Sequence, residues 1–259
     1  MTANPSQAWR DKHAQMAYFD SIGASELEIT RPHNCGRVYN FLLQTKIDTV
    51  LTLYAQPLTG RVVLDLCCGS GMDAEFLCNH GARIVGVDIS LGALRGAQER
   101  ARRYGLQYDL IVADAESLPF RDRAFDLTFV HDGLHHLSDP QAGLSEMLRV
   151  ADSAALITEP ARALATAVGV RVGIAETVEE SGNRVYRFTE GELRQAFAAA
   201  GYSQSRFARY AMFYRQSPLP IFRLFESAPA FAIFRGLYWL LNLLVGRWGN
   251  KMAAVTERF

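Results

Sequence analysis

The stretch from Val62 to Leu77 constrains this chain more than any other. Val62, Val63, Leu64 and Leu66 form the short apolar run of a central parallel strand, buried on both faces. Gly69 and Gly71 allow a tight turn and leave room for a ligand against the backbone. Asp73 and Glu75 fall in the first turn of the helix that follows, where acids suit the helix dipole. Strand, Gly-x-Gly turn and helix together make a nucleoside-binding corner.

The rest of the chain repeats the alternation of strand and helix. Further strands are expected at Arg83–Ser90, Tyr108–Val112, Phe125–Val130 and Ala154–Thr158, with helices between them. Ser90 is placed to cap one helix, and Ser138 or Asp139 another that has Pro140 in its first turn. Thr189-Glu190-Gly191-Glu192 reads as a capping box. Gln204–Tyr214 and Lys251–Thr256 read as two last strands, and a helix is expected after Pro32. This pattern predicts an α/β fold: a doubly wound, mostly parallel, seven-stranded Rossmann-like sheet with an antiparallel last strand and a helical cap or lid. Three regions are expected: an N-terminal arm and cap helix over 1–58, a nucleoside-binding core over 59–160, and a substrate-side segment over 161–259 with a helical insertion at 216–248. The polar arm over 1–30 either lies on the surface or caps the ligand with Tyr18 or Phe19.

Composition excludes several classes. Lys plus Arg and Asp plus Glu number 27 each, so the formal net charge is zero and no basic excess favours nucleic acid. The four cysteines, Cys35, Cys67, Cys68 and Cys78, lack paired spacing, so no metal site is expected. The start has no signal-peptide core, and a cytoplasmic protein is expected.

Gly69-Ser70-Gly71-Met72-Asp73-Ala74 nominally fits a dinucleotide fingerprint, which would seat a pyrophosphate on the helix N-terminus. Asp65, Asp73 and Glu75 are expected to surround that spot without a base to pair them, which repels an anion and welcomes a cation. S-adenosylmethionine carries a sulfonium and an ammonium and no phosphate. Asp88, ending the second strand, can accept both ribose hydroxyls, and Asp114, after the third, can accept from the adenine amino group. These acids stand on one carboxyl edge, at the switch point of such a sheet.

With these motifs in order, the chain resembles a class I S-adenosylmethionine-dependent methyltransferase, of the small-molecule group that includes the ubiquinone/menaquinone methyltransferase-like enzymes. Asp65-Leu66-Cys67-Cys68-Gly69-Ser70-Gly71 corresponds to the family's Asp-x-Gly-x-Gly-x-Gly. Val87-Asp88-Ile89-Ser90, Ala113 to Phe120 and Leu134-His135-His136-Leu137 correspond to its later segments. Cys67 departs from the pattern, which has glycine there; a thiol is accommodated if the position needs no positive φ. The resemblance implies S-adenosylmethionine as cofactor, with S-adenosylhomocysteine as product. It implies cofactor contacts from Asp65, Cys67, Gly69, Ser70, Gly71, Asp73, Asp88, Ile89, Ser90, Asp114, Ala115, Glu116, His131 and Tyr18. The rival readings are an NAD(P)-dependent oxidoreductase and a non-catalytic S-adenosylmethionine-binding protein.

In-line methyl transfer needs alignment and desolvation more than a strong base. Where the acceptor must lose a proton, His131, His135 and His136 are the candidates. Glu159, Tyr186, Arg187, Phe222, Phe234 and Tyr238 are the candidate acceptor contacts. The acceptor is expected to be a small, hydrophobic molecule methylated on oxygen, nitrogen or carbon. The apolar insertion from Pro218 to Trp248 is too interrupted, by Arg235 and Asn242, to read as a membrane span of about 20 apolar residues. A core helix, a lid or homodimer face, and a membrane-touching helix all stay open for it.

Overall fold

The computed structural model describes residues 5–171, 177–179, 181–214 and 218–258, with no side-chain description for 5–11. The first residues of the expected arm, the Trp9 side chain, Glu180 and the first two positions of the expected insertion lie outside what is described.

In chain order come α1 (Pro5–Ile22), α2 (Glu26–Thr30), α3 (Arg37–Tyr54), β1 (Val62–Leu66), α4 (Met72–Asn79), β2 (Arg83–Asp88), α5 (Leu91–Tyr104) and β3 (Tyr108–Val112). Then follow β4 (Phe125–His131), α6 (Pro140–Val150), β5 (Ala151–Pro160), α7 (Leu164–Arg171), α8 (Glu190–Ala199), β6 (Gln204–Tyr210), α9 (Ala228–Val245) and β7 (Lys251–Glu257). The seven strands form one sheet in the order β3-β2-β1-β4-β5-β7-β6. Strands β1 to β5 pair in parallel, and β7 runs antiparallel between β5 and β6. The order reverses between β1 and β4, which opens a crevice at their carboxyl ends.

Alternate residues of the strands feed two cores. Leu64, Leu66, Val130 and Ile157 pack with Leu144, Met147 and Leu148 of α6 and with Leu193 and Phe197 of α8. Val63, Leu127, Phe129 and Leu156 pack with Val38, Leu42, Ile47 and Val50 of α3 and Leu77 of α4. The capping box at Thr189 and Glu192 forms as the sequence predicts.

Three expectations shift. The helix expected after Pro32 begins at Arg37, because Gly36 at φ 86 breaks the backbone first. Its first N–H is capped from afar, by Glu226 Oε2 at 2.7 Å. The sixth strand ends at Tyr210, since β7 pairs it only that far. The arm holds a short extra helix, α2, capped by Ser25.

Glycines fix how the arm sits. A Cβ on Gly92 would meet the Asp20 backbone at 2.4 Å, and one on Gly96 would meet Gly23 O at 2.1 Å. So α1 and the turn after it cross α5 at near-backbone contact, held by Asp20 Oδ1, which accepts from Ser90 Oγ and Gly92 N at 2.7 Å each. The Gly92-x-x-x-Gly96 spacing is a small-residue face that anticipates this crossing.

Candidate active site

The turn after β1 has the shape its sequence demands, with one exception. Gly69 and Gly71 take φ 52 and 76, and a Cβ on Gly71 would meet the Tyr108 hydroxyl at 2.5 Å. Cys67, in place of the family's first glycine, also takes a positive φ, 53. The condition under which a thiol fits without cost is therefore not met. Left-handed backbone costs a non-glycine residue about 1 kcal/mol, and glycine's own chain entropy offsets part of this. Cys67→Gly is expected to leave stability unchanged or raise it by up to about 1 kcal/mol in thermal melting, whereas a β-branched Cys67→Val lowers it.

Around this turn the acids are more paired than the sequence indicates. Glu75 meets Arg100 Nη1 at 2.7 Å and His33 Nε2 at 2.6 Å. Asp73 Oδ1 lies 2.8 Å from His131 Nδ1. The expectation that no base pairs with these acids is thus corrected: the bases come from α5, from the loop before α3 and from the end of β4. Asp65 alone stays as expected. It is fully buried, and neither of its oxygens has a hydrogen-bond partner among the described residues. Burial, with Asp73 and Asp88 beside it, holds its carboxyl well above the usual carboxylate range. A buried carboxyl without donors is costly, and a ligand ammonium would supply them.

Asp88 is aimed by the backbone. Its Oδ2 accepts from Gly69 N and its Oδ1 from Ser90 N, both at 2.9 Å. One lone pair on each oxygen is left for a diol. Burial pushes its carboxyl up, with the Ser90 and Gly69 N–H groups opposing. Ser90 caps α5 by accepting from Ala93 N at 2.9 Å. Ser70 Oγ donates to Glu28 O at 2.8 Å, which ties the turn to α2. Ile89, Asp114, Ala115, Glu116 and Cys67 line one small cavity, closed from α1 by Lys12 and Gln15. Lys12 Nζ stands 2.6 Å from both Asp114 Oδ2 and Glu116 Oε2. Tyr18 packs edge-on to Phe19, and Phe19 meets the His136 ring at 5.5 Å.

The three histidines separate. His131 is oriented by Asp73 through Nδ1, and its buried Nε2 has no hydrogen-bond partner among the described residues, with Asp132 Oδ2 3.6 Å away. His135 Nδ1 lies 2.7 Å from Glu159 Oε2, and its Nε2 lies 3.4 Å from Glu179. His136 Nδ1 lies 2.9 Å from Glu179. Glu159 is fully buried, and its Oε1 also accepts from Gly133 and Leu134 N at 2.8 and 2.7 Å. It ties down the loop after β4 and has no face toward an acceptor. His135, His136 and Glu179 bring ligand atoms within 4.8 Å of one another, as do Asp132, His135 and Glu159. His135 and His136 are engaged by Glu159 and Glu179, and Asp132 by Lys46 and Lys251, so these groups read as ion pairs.

Burial alone lowers the His135 pKa, but the Glu159 carboxylate and the Glu179 hydrogen bond raise it to about 9. The folded value lies above the unfolded one, so this pair's stabilisation is complete below about pH 6.5 and lost as pH rises through 9. About 2 to 3 kcal/mol is at stake over that window. Thermal melting from pH 6 to 9 is expected to show a falling midpoint that flattens in His135→Gln. Lys46, pushed down to about 8 by burial, acts with the opposite sign only above that pH.

Asp132, at φ 49, is gripped by two lysines. Lys251 Nζ lies 2.8 and 2.9 Å from its oxygens, and the fully buried Lys46 Nζ pairs with Oδ2. Burial opposes ionisation, but Lys251 and Lys46 hold Asp132 well below the carboxylate range. Sequence reasoning missed Lys46, Lys251, Lys12 and Arg100. A signal existed for two of them: Lys46 lies on the apolar side of α3 with Leu42, Leu43 and Val50, and Arg100 on the small-residue face of α5.

The expected acceptor contacts do not gather at this edge. Phe222, Phe234 and Tyr238 belong to the core beneath α3, where Phe41 meets Phe234 at 6.2 Å and Tyr238 at 5.2 Å. Tyr186 donates to Glu192 at 3.0 Å, and Arg187 Nη1 donates to Val185 O at 3.4 Å. Tyr186 also accepts from Gln141 Nε2 of α6, at 3.3 Å. An open groove of about 770 Å³ between α3 and α9 is lined by Phe41, Phe231 and Trp239 with Arg37 and Arg235.

This geometry has relatives. Residues 63–153 match the model of a family described as a methyltransferase domain. A demethylmenaquinone methyltransferase of Thermobifida fusca is 32% identical over 142 residues, 54% of this chain and 58% of that protein. Another, of Beutenbergia cavernae, is 40% identical over 151 residues, 56% of each. The chain thus spans little more than half the length of these relatives. The crystal structure of a magnesium protoporphyrin IX methyltransferase from Synechocystis PCC 6803 with bound S-adenosylhomocysteine shares the fold. Its TM-score is 0.65 at 21% identity, over 96% of this chain and 100% of that one. Sheet order, the four sequence motifs and the family match agree on one point: residues 63–153 form a methyltransferase domain, within a fold shared with a solved methyltransferase.

Proposed function

We propose that the protein moves the methyl group of S-adenosylmethionine to a small, hydrophobic acceptor that carries an ionisable proton, with His131 taking that proton. The observation that carries this reading is a pair of buried groups flanking the switch point that have no hydrogen-bond partner among the described residues: the Asp65 carboxyl on β1 and His131 Nε2 at the end of β4. Asp65 fits the ligand's ammonium, Asp88 its ribose diol and the Asp114 segment its adenine. When bound, the cofactor supplies a methyl group already activated by its sulfonium.

The chain's own residues then have three tasks. The backbone at Gly69 and Gly71 lets the ligand lie against the turn. The α1 helix covers the adenine end and keeps water out. Asp73 holds His131 through Nδ1, so its Nε2 lone pair is free to receive a proton as the acceptor's new bond to the methyl carbon forms. His135, protonated and paired, is left to structure. The relatives' naming on demethylmenaquinone favours a quinol or phenol ring among hydrophobic acceptors.

Transfer of radiolabelled methyl from S-adenosylmethionine to a panel of naphthoquinols and phenols tests this. Positioned general bases contribute about 10²- to 10⁴-fold. His131→Ala is expected to cut kcat by at least about 100-fold with cofactor affinity changed only a few-fold. A rate unaffected at every pH would remove His131 from the mechanism, and no transfer to any acceptor would favour a binding protein.

A further inference from the structure

The α9 helix is fixed on the domain along one stripe. Phe231, Phe234, Tyr238 and Asn242 face inward, at spacings of three and four. Asn242 sets its rotation, accepting from Ala211 N at 2.7 Å and donating to Ala211 O at 3.1 Å at the end of β6. The remaining faces are therefore outward by construction. Only 6% of an apolar 18-residue window within 228–248 is buried, so it is not a core helix.

What faces outward is apolar. Among the described residues, eleven of the eighteen exposed large apolar side chains fall between Ile221 and Trp248, with Leu224, Leu243 and Leu244 exposed by 71%, 82% and 64%. Soluble monomers rarely leave so continuous an apolar surface without a partner.

The charges identify the partner. The exposed charged side chains of 218–248 are Arg223, Arg235 and Arg247. The one acid, Glu226, is half-buried and spent on the Arg37 N–H. Trp239 and Trp248 are both about half exposed, and the Arg247 guanidinium lies 3.7 Å over the Trp248 ring. Leucines flanked by arginine and tryptophan compose a helix that lies in the headgroup boundary of an anionic bilayer. A second copy is a poorer match, because a two-fold contact turns the arginine rim on itself with no acid on the face to answer it.

Length and composition alone would let this helix cross a bilayer. Its tethers argue otherwise. Just before it, Phe222 is buried in the core under α3, and just after it Gly246–Trp248 leads into β7. Both ends return to one face of the same domain, so the helix lies flat.

We propose that α9 and the turn before it dock this protein on the surface of an anionic phospholipid membrane. This does not rest on the methylation reading. Co-sedimentation of the full chain with vesicles of phosphatidylcholine, alone and with phosphatidylglycerol in roughly equal parts, tests it. Binding to the mixed vesicles is expected to be at least about tenfold tighter. Leu240→Asp/Leu244→Asp and Arg235→Glu/Arg247→Glu are each expected to weaken it by about tenfold or more, with melting temperature and S-adenosylhomocysteine affinity retained. No sedimentation with either vesicle overturns the proposal. So do binding untouched by these substitutions, resistance to alkaline extraction, and a stable dimer in velocity sedimentation that the leucine substitutions dissociate.

Discussion

Exchange of Asp88 for alanine is expected to lower affinity for S-adenosylmethionine by at least about 100-fold, because it removes two charge-assisted hydrogen bonds to the ribose. The carboxylate is unusually well prepared for that contact. Gly69 N and Ser90 N each hold one of its oxygens at 2.9 Å, which fixes its plane before any ligand arrives. The same bonds make Asp88 a brace for the glycine turn, so alanine loses both the contact and part of its aim. Asp88→Asn keeps one acceptor and the shape, and about a tenfold loss is expected of it. Equilibrium dialysis with labelled cofactor measures both, with melting temperature as the check on folding. Unchanged affinity in Asp88→Ala would move the site elsewhere.

Arg100→Met is expected to cost about 3 to 5 kcal/mol of stability, the range found when one partner of a buried ion pair is removed. Arg100 is fully buried. Its guanidinium donates to Ser70 O at 2.9 Å and to Glu75 Oε2, Glu28 O and Arg31 O at 2.7 Å each. One side chain thus joins α5, the glycine turn, α4 and the arm. Methionine fills the volume but withdraws a donor from three carbonyls, of which Glu28 O keeps Ser70 Oγ, and leaves His33 as the remaining base on Glu75. Denaturant unfolding should show the lost stability. Because Ser70 is released as well, cofactor affinity should fall with it. A variant within about 1 kcal/mol of the parent would mean that water replaces these bonds and that Arg100 is not the keystone the geometry makes it.

The frame of this protein could be read from its sequence because each strand is a short apolar run between turn residues. The acids at Asp65, Asp88 and Asp114 fall at strand ends, where topology brings them to one edge. What could not be read are partners fixed by distant chain. Glu75 looked unpaired because Arg100 and His33 lie 25 and 42 positions away. The start of α3 was misplaced because its cap, Glu226, lies 189 positions on. Glu159 looked like a cleft acid because its end-of-strand place gives no hint of the loop N–H groups it serves. The outward face of α9 was ambiguous for a different reason: a helix apolar all round carries no stripe that says which side is the inside.

Calorimetric titration of the full chain with S-adenosylhomocysteine, and separately with NAD, tests the central claim most directly. The account predicts saturable binding of S-adenosylhomocysteine, weakened in Asp65→Asn and Asp88→Ala, and no binding of NAD, whose pyrophosphate would face the buried Asp65 carboxyl. Binding of NAD without binding of S-adenosylhomocysteine would contradict it.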